Sequence, residues 1–312
     1  MVAAPPAASF AQSFPQATLI KIGVLAGLLA LLNHRYGIWL VKKWLSDADW
    51  THGFVIPLFS IYLLYARRDD LFSAQRRSCL WGLPIMLLFL AGEILGYYPI
   101  RNYWFAQICM IGVLFALVLY LAGTSTIRVT WLPVLFLIFA IPMSPMLYTR
   151  ISLPLQNLSA KGAVLILRLL QVQITSSASA LTLTSKSGVL RDLTVAEACS
   201  GMRLLMAFLA LGVAMAYLEY KPIWQRFVLV LAAIPIAIFC NVIRVAITSY
   251  MFYLDKPEFG QKFMHYFTGM LMLIPAFAML WLLSWFLRWI HSHAVVEEPT
   301  RAGERPVAEG GE

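Results

Sequence analysis

Eight apolar stretches divide this chain, at residues 18–40, 53–66, 80–98, 104–122, 129–148, 199–218, 224–250 and 265–287. Most reach or approach the ~20 residues that a helix needs to cross a hydrocarbon layer roughly 30 Å thick. Composition points the same way: 61% of the residues are hydrophobic and 12% charged, and the mean hydropathy is +0.76. A soluble domain carries about 25% charged residues, so this chain cannot cover a water-facing surface. An ordinary cytosolic enzyme, a disordered protein and a nucleic-acid binder are excluded. The net charge of +9 is then what basic residues flanking membrane spans produce. The expected surroundings are a lipid bilayer, with no nucleic-acid partner. The fold class read here is an all-α polytopic membrane protein of about eight transmembrane helices.

Short loops rich in Lys and Arg stay in the cytoplasm. Arg67, Arg68, Arg76 and Arg77 form the densest basic cluster. Threading from it puts 41–52, 99–103 and 251–264 outside, and the turns at Arg128 and at Lys221/Arg226 inside. Residues 149–172 are long enough to cross but carry Lys161 and Arg168, so an interfacial or re-entrant helix is expected there. The stretch 173–198 alternates Ser, Thr and apolar residues and reads as one or two short strands, or a hairpin, on the outer face. Residues 1–17 and 293–312 read as disordered tails, and 18–292 as a single transmembrane domain.

Polar and ionisable residues within spans are functional candidates, and here they converge on the outer third of the membrane. Cys199 and Arg203 lie four apart in EACSGMRLL, Asn241 and Arg244 three apart in FCNVIRV, and His265 and His52 each open a span. Residues three or four apart on a single helix share a face. Each also has a plainer role. A lone Cys at a helix end is ordinarily a small filler, an interfacial His a boundary residue, and Arg203 an anchor that snorkels outward. Arg244 is harder to place, because a charge that deep costs ~2.5–3.5 kcal/mol even on the lenient scale. It needs a wet cavity or a partner such as Glu93 or Glu197. A thiol, an imidazole and guanidinium groups together suit nucleophilic acyl transfer. The thiolate attacks once its pKa falls from about 8.5, the imidazole moves the proton, and arginine stabilises the oxyanion. The four cysteines show neither CxxC nor metal-ligand spacing, so no metal and no cofactor is expected.

The motifs THGF (51–54), IPMSP (141–145), LPLQNLSA (153–160), AEACSGMRLL (196–205), NVIRV (241–245) and HYFTG (265–269) resemble those of the exosortase/archaeosortase family of membrane cysteine transpeptidases. The resemblance implies Cys199 as nucleophile, Arg244 as catalytic arginine and His265 as third member, a position that is His in the bacterial branch and Arg in many archaeal relatives. Arg203, Asn241, Glu197, Ser200, His52 and Glu93 are supporting or substrate-binding candidates. It further implies exported protein substrates with a C-terminal sorting signal (a Pro-Glu-Pro-type motif, a transmembrane helix and a basic cluster), a thioester intermediate, and an unidentified cell-envelope acceptor. The location implied is the inner membrane, with the active site facing outward. Two other classes are weighed. A transporter would bury Arg and Asn near the midplane, usually with repeats or broken helices. A thiol oxidoreductase would need a second outer cysteine.

Overall fold

The computed structural model describes residues 16–178, 180–194, 201–219, 222–259 and 273–296, and the chain is mostly helical with one small sheet. In chain order the helices are α1 (Gln16–Leu32), α2 (His34–Ser46), α3 (Val55–Ala66), α4 (Arg68–Ser73), α5 (Gly82–Tyr97), α6 (Tyr103–Phe136), α7 (Pro145–Leu169), α8 (Met202–Leu218), α9 (Ile223–Tyr253) and α10 (Leu273–Val296). A 3₁₀ turn at Ala48–Phe54 precedes α3, and strands β1 (Ile174–Ser177), β2 (Ala180–Thr184) and β3 (Leu190–Thr194) follow α7. The expected tails at 1–17 and 293–312 fall mostly outside the described residues, but α1 already begins at Gln16 and α10 runs on to Val296.

Eight full spans are not what the helices show. By length and composition, two helical segments among the described residues suffice to cross a membrane, Ile223–Tyr253 and Tyr103–Ala140, the latter with a backbone break at Gly123, and a third does if a bent pair counts as one span. That pair replaces the continuous first span expected at 18–40: Gly23–Leu32 and His34–Ser46 meet at 73°. At the break, Asn33 Nδ2 donates to the Leu29 carbonyl at 3.3 Å, the side-chain competition with the backbone ladder that bends helices. The apolar runs at 53–66, 80–98 and 199–218 form helices of 12, 16 and 17 residues. The run at 129–148 is split, because the helix gives way to a 3₁₀ turn at Leu137–Ala140 and α7 starts afresh at Pro145.

Within α6 the backbone leaves helical geometry at Gly123 (φ 79°, ψ −174°). Ile111 and Val134 would stand ~34 Å apart in a straight helix, yet both join one buried cluster with Ile141, against which Trp104 and Leu137 pack. The two halves of α6 therefore fold back on each other, as the separate stretches 104–122 and 129–148 anticipate. A side chain at position 123 would place its Cβ 1.9 Å from the Arg77 carbonyl oxygen, so only glycine permits this reversal.

α7 is one continuous helix of 25 residues, without the reversal a re-entrant segment needs. Its Ser144 cap accepts from Leu147 N and Pro145 fills the first turn, a position where proline is pre-shaped for helix. Ser152, Gln156, Ser159, Ala160, Ala163 and Leu167 make its buried face. Small side chains there let α7 and α9 approach closely: a Cβ on Gly162 would lie 2.8 Å from Val242. The opposite face exposes Leu153, Leu158 and Leu165. Lys161 and Arg168, which interrupt the apolar run in sequence, both lie on the exposed side.

The 173–198 stretch forms a three-stranded antiparallel sheet in the order β1-β2-β3, one strand more than a hairpin. Its inner residues Ile174, Leu181, Leu183 and Leu193 cluster with Leu167, Val245 and Ala246. The sheet thus caps the joined C-terminal ends of α7 and α9. Lys186 N donates to Tyr253 O at 2.8 Å and Ser187 N to Asp255 Oδ2 at 3.0 Å. That pairing fixes the sheet over one end of the helical body.

Candidate active site

Four elements bring charge together. α8 opens at Met202, with Gly201 as its cap in the left-handed region (φ 71°). A Cβ on Gly201 would meet Asn241 Nδ2 at 3.0 Å, which explains the glycine of the CSG motif twice over. The helix face expected to carry both Cys199 and Arg203 is accordingly interrupted at Gly201. Cys199, Ser200, Glu197 and His265 lie outside the described residues.

Arg203, in the first turn of α8, does not simply snorkel. Its Nη2 donates to Asp49 Oδ1 at 3.4 Å, and the hydroxyl of Tyr148, from the first turn of α7, donates to Asp49 Oδ2. Asp49 sits on the 3₁₀ turn, where its own amide is held at 3.0 Å by Asp47 Oδ1. Lys43 in turn pairs with Asp47 at 2.7 Å. One carboxylate thus ties α8 to α7 and to the turn before α3. Asp49 and Tyr148 are not among the sequence candidates; a carboxylate three residues before His52 was the one available hint.

His52 is on the same turn. Its Nε2 bonds the Phe139 carbonyl at 3.2 Å, and that geometry requires Nε2 to carry the proton. Nearby, Trp44 Nε1 donates to Ala140 O at 2.9 Å, which helps lock the turn against the end of the α6 segment. Burial holds the His52 imidazole below the usual histidine range, opposed by the Phe139 carbonyl and reinforced by the charge of Arg203.

Arg244 is 1% exposed and sits near enough to Arg203 for the two charges to repel. No hydrogen bond or ion pair to its guanidinium occurs among the described residues, and its Nε is buried without a partner. Glu93, a candidate partner, is elsewhere: it is buried on α5, near Asn33 and Tyr97. Asn241, one turn before Arg244, donates from Nδ2 to Ser159 Oγ at 2.7 Å. The structure therefore gathers Arg203, Arg244, Asn241 and His52 and leaves Glu93 out. Among the described residues no three His, Cys, Asp or Glu side chains are arranged to hold a metal ion. Cys79 is half-buried, and Cys109 and Cys240 are buried.

Apolar helices with lipid-suited faces, around a buried site rich in guanidinium groups, define an integral membrane protein with a polar reaction or binding centre. The sequence model of the transmembrane exosortases matches residues 44–282, from the helix before the Asp49 turn to the middle of α10. The chain belongs to this family, whose members are membrane cysteine peptidases and transpeptidases acting on protein substrates. Comparison with curated proteins and with solved structures found no match.

Proposed function

We propose that the protein is a cysteine transpeptidase that cleaves a C-terminal sorting signal (a Pro-Glu-Pro-type motif followed by a transmembrane helix and basic residues) and passes the acyl group to a cell-envelope acceptor. The observation that carries this reading is Arg244, a buried guanidinium that has no partner among the described residues. A group in that state is costly unless a ligand or developing charge completes it. An oxyanion forming at a scissile carbonyl is such a charge.

In this reading the Cys199 thiolate attacks the carbonyl carbon, and its oxygen becomes an oxyanion facing Arg244. His265, as imidazolium, gives its proton to the departing amine, leaving a thioester. An acceptor amine or water then attacks the thioester, the imidazole takes its proton, and the thiolate returns. Arg203, paired with Asp49, holds the start of α8 against the turn before α3 without competing for the substrate carbonyl. His52, neutral and pinned at Phe139, supports the turn that carries Asp49. Glu197 and Ser200 flank the nucleophile.

The proposed location is the inner membrane, with residues 18–292 forming one domain and the site on the extracytoplasmic side. At 31 residues α9 is ~46 Å long, well beyond the ~30 Å hydrocarbon layer, so one end must project. The sheet caps its C-terminal end. The Arg67–Arg77 cluster belongs to the opposite end, where Arg67 donates to Tyr217 O at the close of α8. The positive-inside rule makes that end cytoplasmic. Eight crossings fit this arrangement if the shorter apolar helices also span. The test is to incubate the purified protein with a sorting-signal peptide and look for a hydroxylamine-sensitive adduct on Cys199. No adduct, with processing retained in Cys199→Ala, refutes the reading.

A further inference from the structure

Four side chains of α7 and α9 each keep a buried polar atom that no described residue satisfies: Gln156 Oε1, Asn241 Oδ1, Arg244 Nε and Thr248 Oγ1. Their residues are 5%, 2%, 1% and 2% exposed. Asn241, Arg244 and Thr248 follow at i, i+3 and i+7 on one face of α9, a line ~10 Å long. Gln156 stands one turn before Ser159 on the buried face of α7, and Ser159 is the residue that Asn241 bonds. The acyl-transfer scheme uses neither Gln156 nor Thr248.

Packing alone does not explain them. A buried polar atom has given up water and gained nothing, and Leu or Val would fill the same space without that cost. Thr248 could also bond the carbonyl one turn back, as helical threonines commonly do, and it does not. The set comprises two amide oxygens that accept, a guanidinium N–H that donates and a hydroxyl that does either. A carboxylate or phosphate ligand offers acceptors only and would leave both amide oxygens unmet. An extended peptide offers an N–H and a C=O at each residue, every ~3.3 Å.

We infer that Gln156 and Thr248, with Asn241 and Arg244, bind the main chain of the peptide substrate as it approaches Cys199; this rests on the proposed peptide substrate. Recognition through main-chain groups tolerates differing side chains, which suits an enzyme that processes several proteins.

The test uses the full-length Cys199→Ala protein in detergent, so that binding is read without chemistry. The probe is a fluorescent synthetic peptide with a Pro-Glu-Pro motif, an apolar helix and a basic tail. A second copy is N-methylated at two amides beside the motif. The expected result is that Gln156→Leu and Thr248→Val each weaken binding about tenfold, with Tm unchanged or raised. N-methylation should weaken binding to the parent and matter less in the variants. Equal affinity of parent and variants for both peptides overturns the inference, as does the absence of peptide binding. A lowered Tm with unchanged affinity also overturns it, since the four groups would then serve buried water. Peptide binding as expected, but no thioester in the wild type, refutes the catalytic reading and leaves this one standing.

Discussion

Gly201 turns its left-handed backbone against Asn241, so closely that a Cβ there would stand 3.0 Å from the Asn241 amide nitrogen. That nitrogen donates at 2.7 Å to Ser159 Oγ. The start of α8, the middle of α9 and the middle of α7 are thereby joined two residues after the proposed nucleophile. The start of α8 is thus set by a contact between a glycine and an amide.

Gly201→Ala tests this dependence. Alanine at φ 71° costs ~1–2 kcal/mol in backbone strain, and its methyl group pushes Asn241 away from Ser159. The variant should show a lower Tm in detergent and a much reduced rate of thioester formation. A wild-type rate would mean that the tight approach has no bearing on the nucleophile.

Removing the Asp49 charge should hurt more than removing its second partner. Asp49→Asn removes the carboxylate that pairs with Arg203 beside Arg244, whereas Tyr148→Phe deletes one hydrogen bond to a carboxylate that still holds Arg203. Hydrogen bonds to charged groups contribute about 1.5–3 kcal/mol. Denaturation midpoints should therefore fall in the order wild type, Tyr148→Phe, Asp49→Asn, and processing should follow the same order. A Tyr148→Phe protein less stable than Asp49→Asn would contradict this hierarchy.

The membrane character, the sheet region and the clustering of Arg203, Arg244, Asn241 and His52 were all legible in the sequence. Apolar periodicity and the depth of charges are local properties, and each run announces them by itself. The partners were not legible. Asp49 meets Arg203 across 154 residues and Tyr148 meets Asp49 across 99, and such distances in sequence carry no spacing rule. Span lengths failed for a related reason. Hydropathy does not register that Asn33 bends one run or that Pro145 restarts another. Lys161 and Arg168 interrupt the apolar run in sequence, and in the fold they lie on the exposed face of one continuous helix.

His52 gives a pH signature. Its folded pKa lies below that of the unfolded chain because burial disfavours the imidazolium. The unfolded state then binds the proton more readily, so protonation favours unfolding. Its contribution to stability is present above the unfolded value of ~6.5 and is lost as pH falls through the folded pKa. The Tm of the wild type should drop in this acid window, and His52→Gln should flatten that part of the curve. A His52→Gln profile parallel to wild type from pH 7 down to 5 would remove His52 as the cause.

The two arginines should separate stability from function in opposite ways. Arg203 is paired with Asp49, so Arg203→Met breaks an ion pair that joins α8 to the turn before α3 and should lower Tm. Arg244 is buried and unpaired among the described residues, so Arg244→Met removes an uncompensated charge. Exchanging buried charge for a well-packed apolar group is often neutral or stabilising by ~1–4 kcal/mol. Arg244→Met should therefore accumulate in the membrane with an equal or higher Tm and form no thioester. Lysine should not rescue it, because a single ammonium lacks the planar fork. Arg203→Lys can still pair with Asp49 and should retain measurable activity. Loss of Tm in Arg244→Met, with activity surviving, would reverse the two assignments and make Arg244 the structural residue.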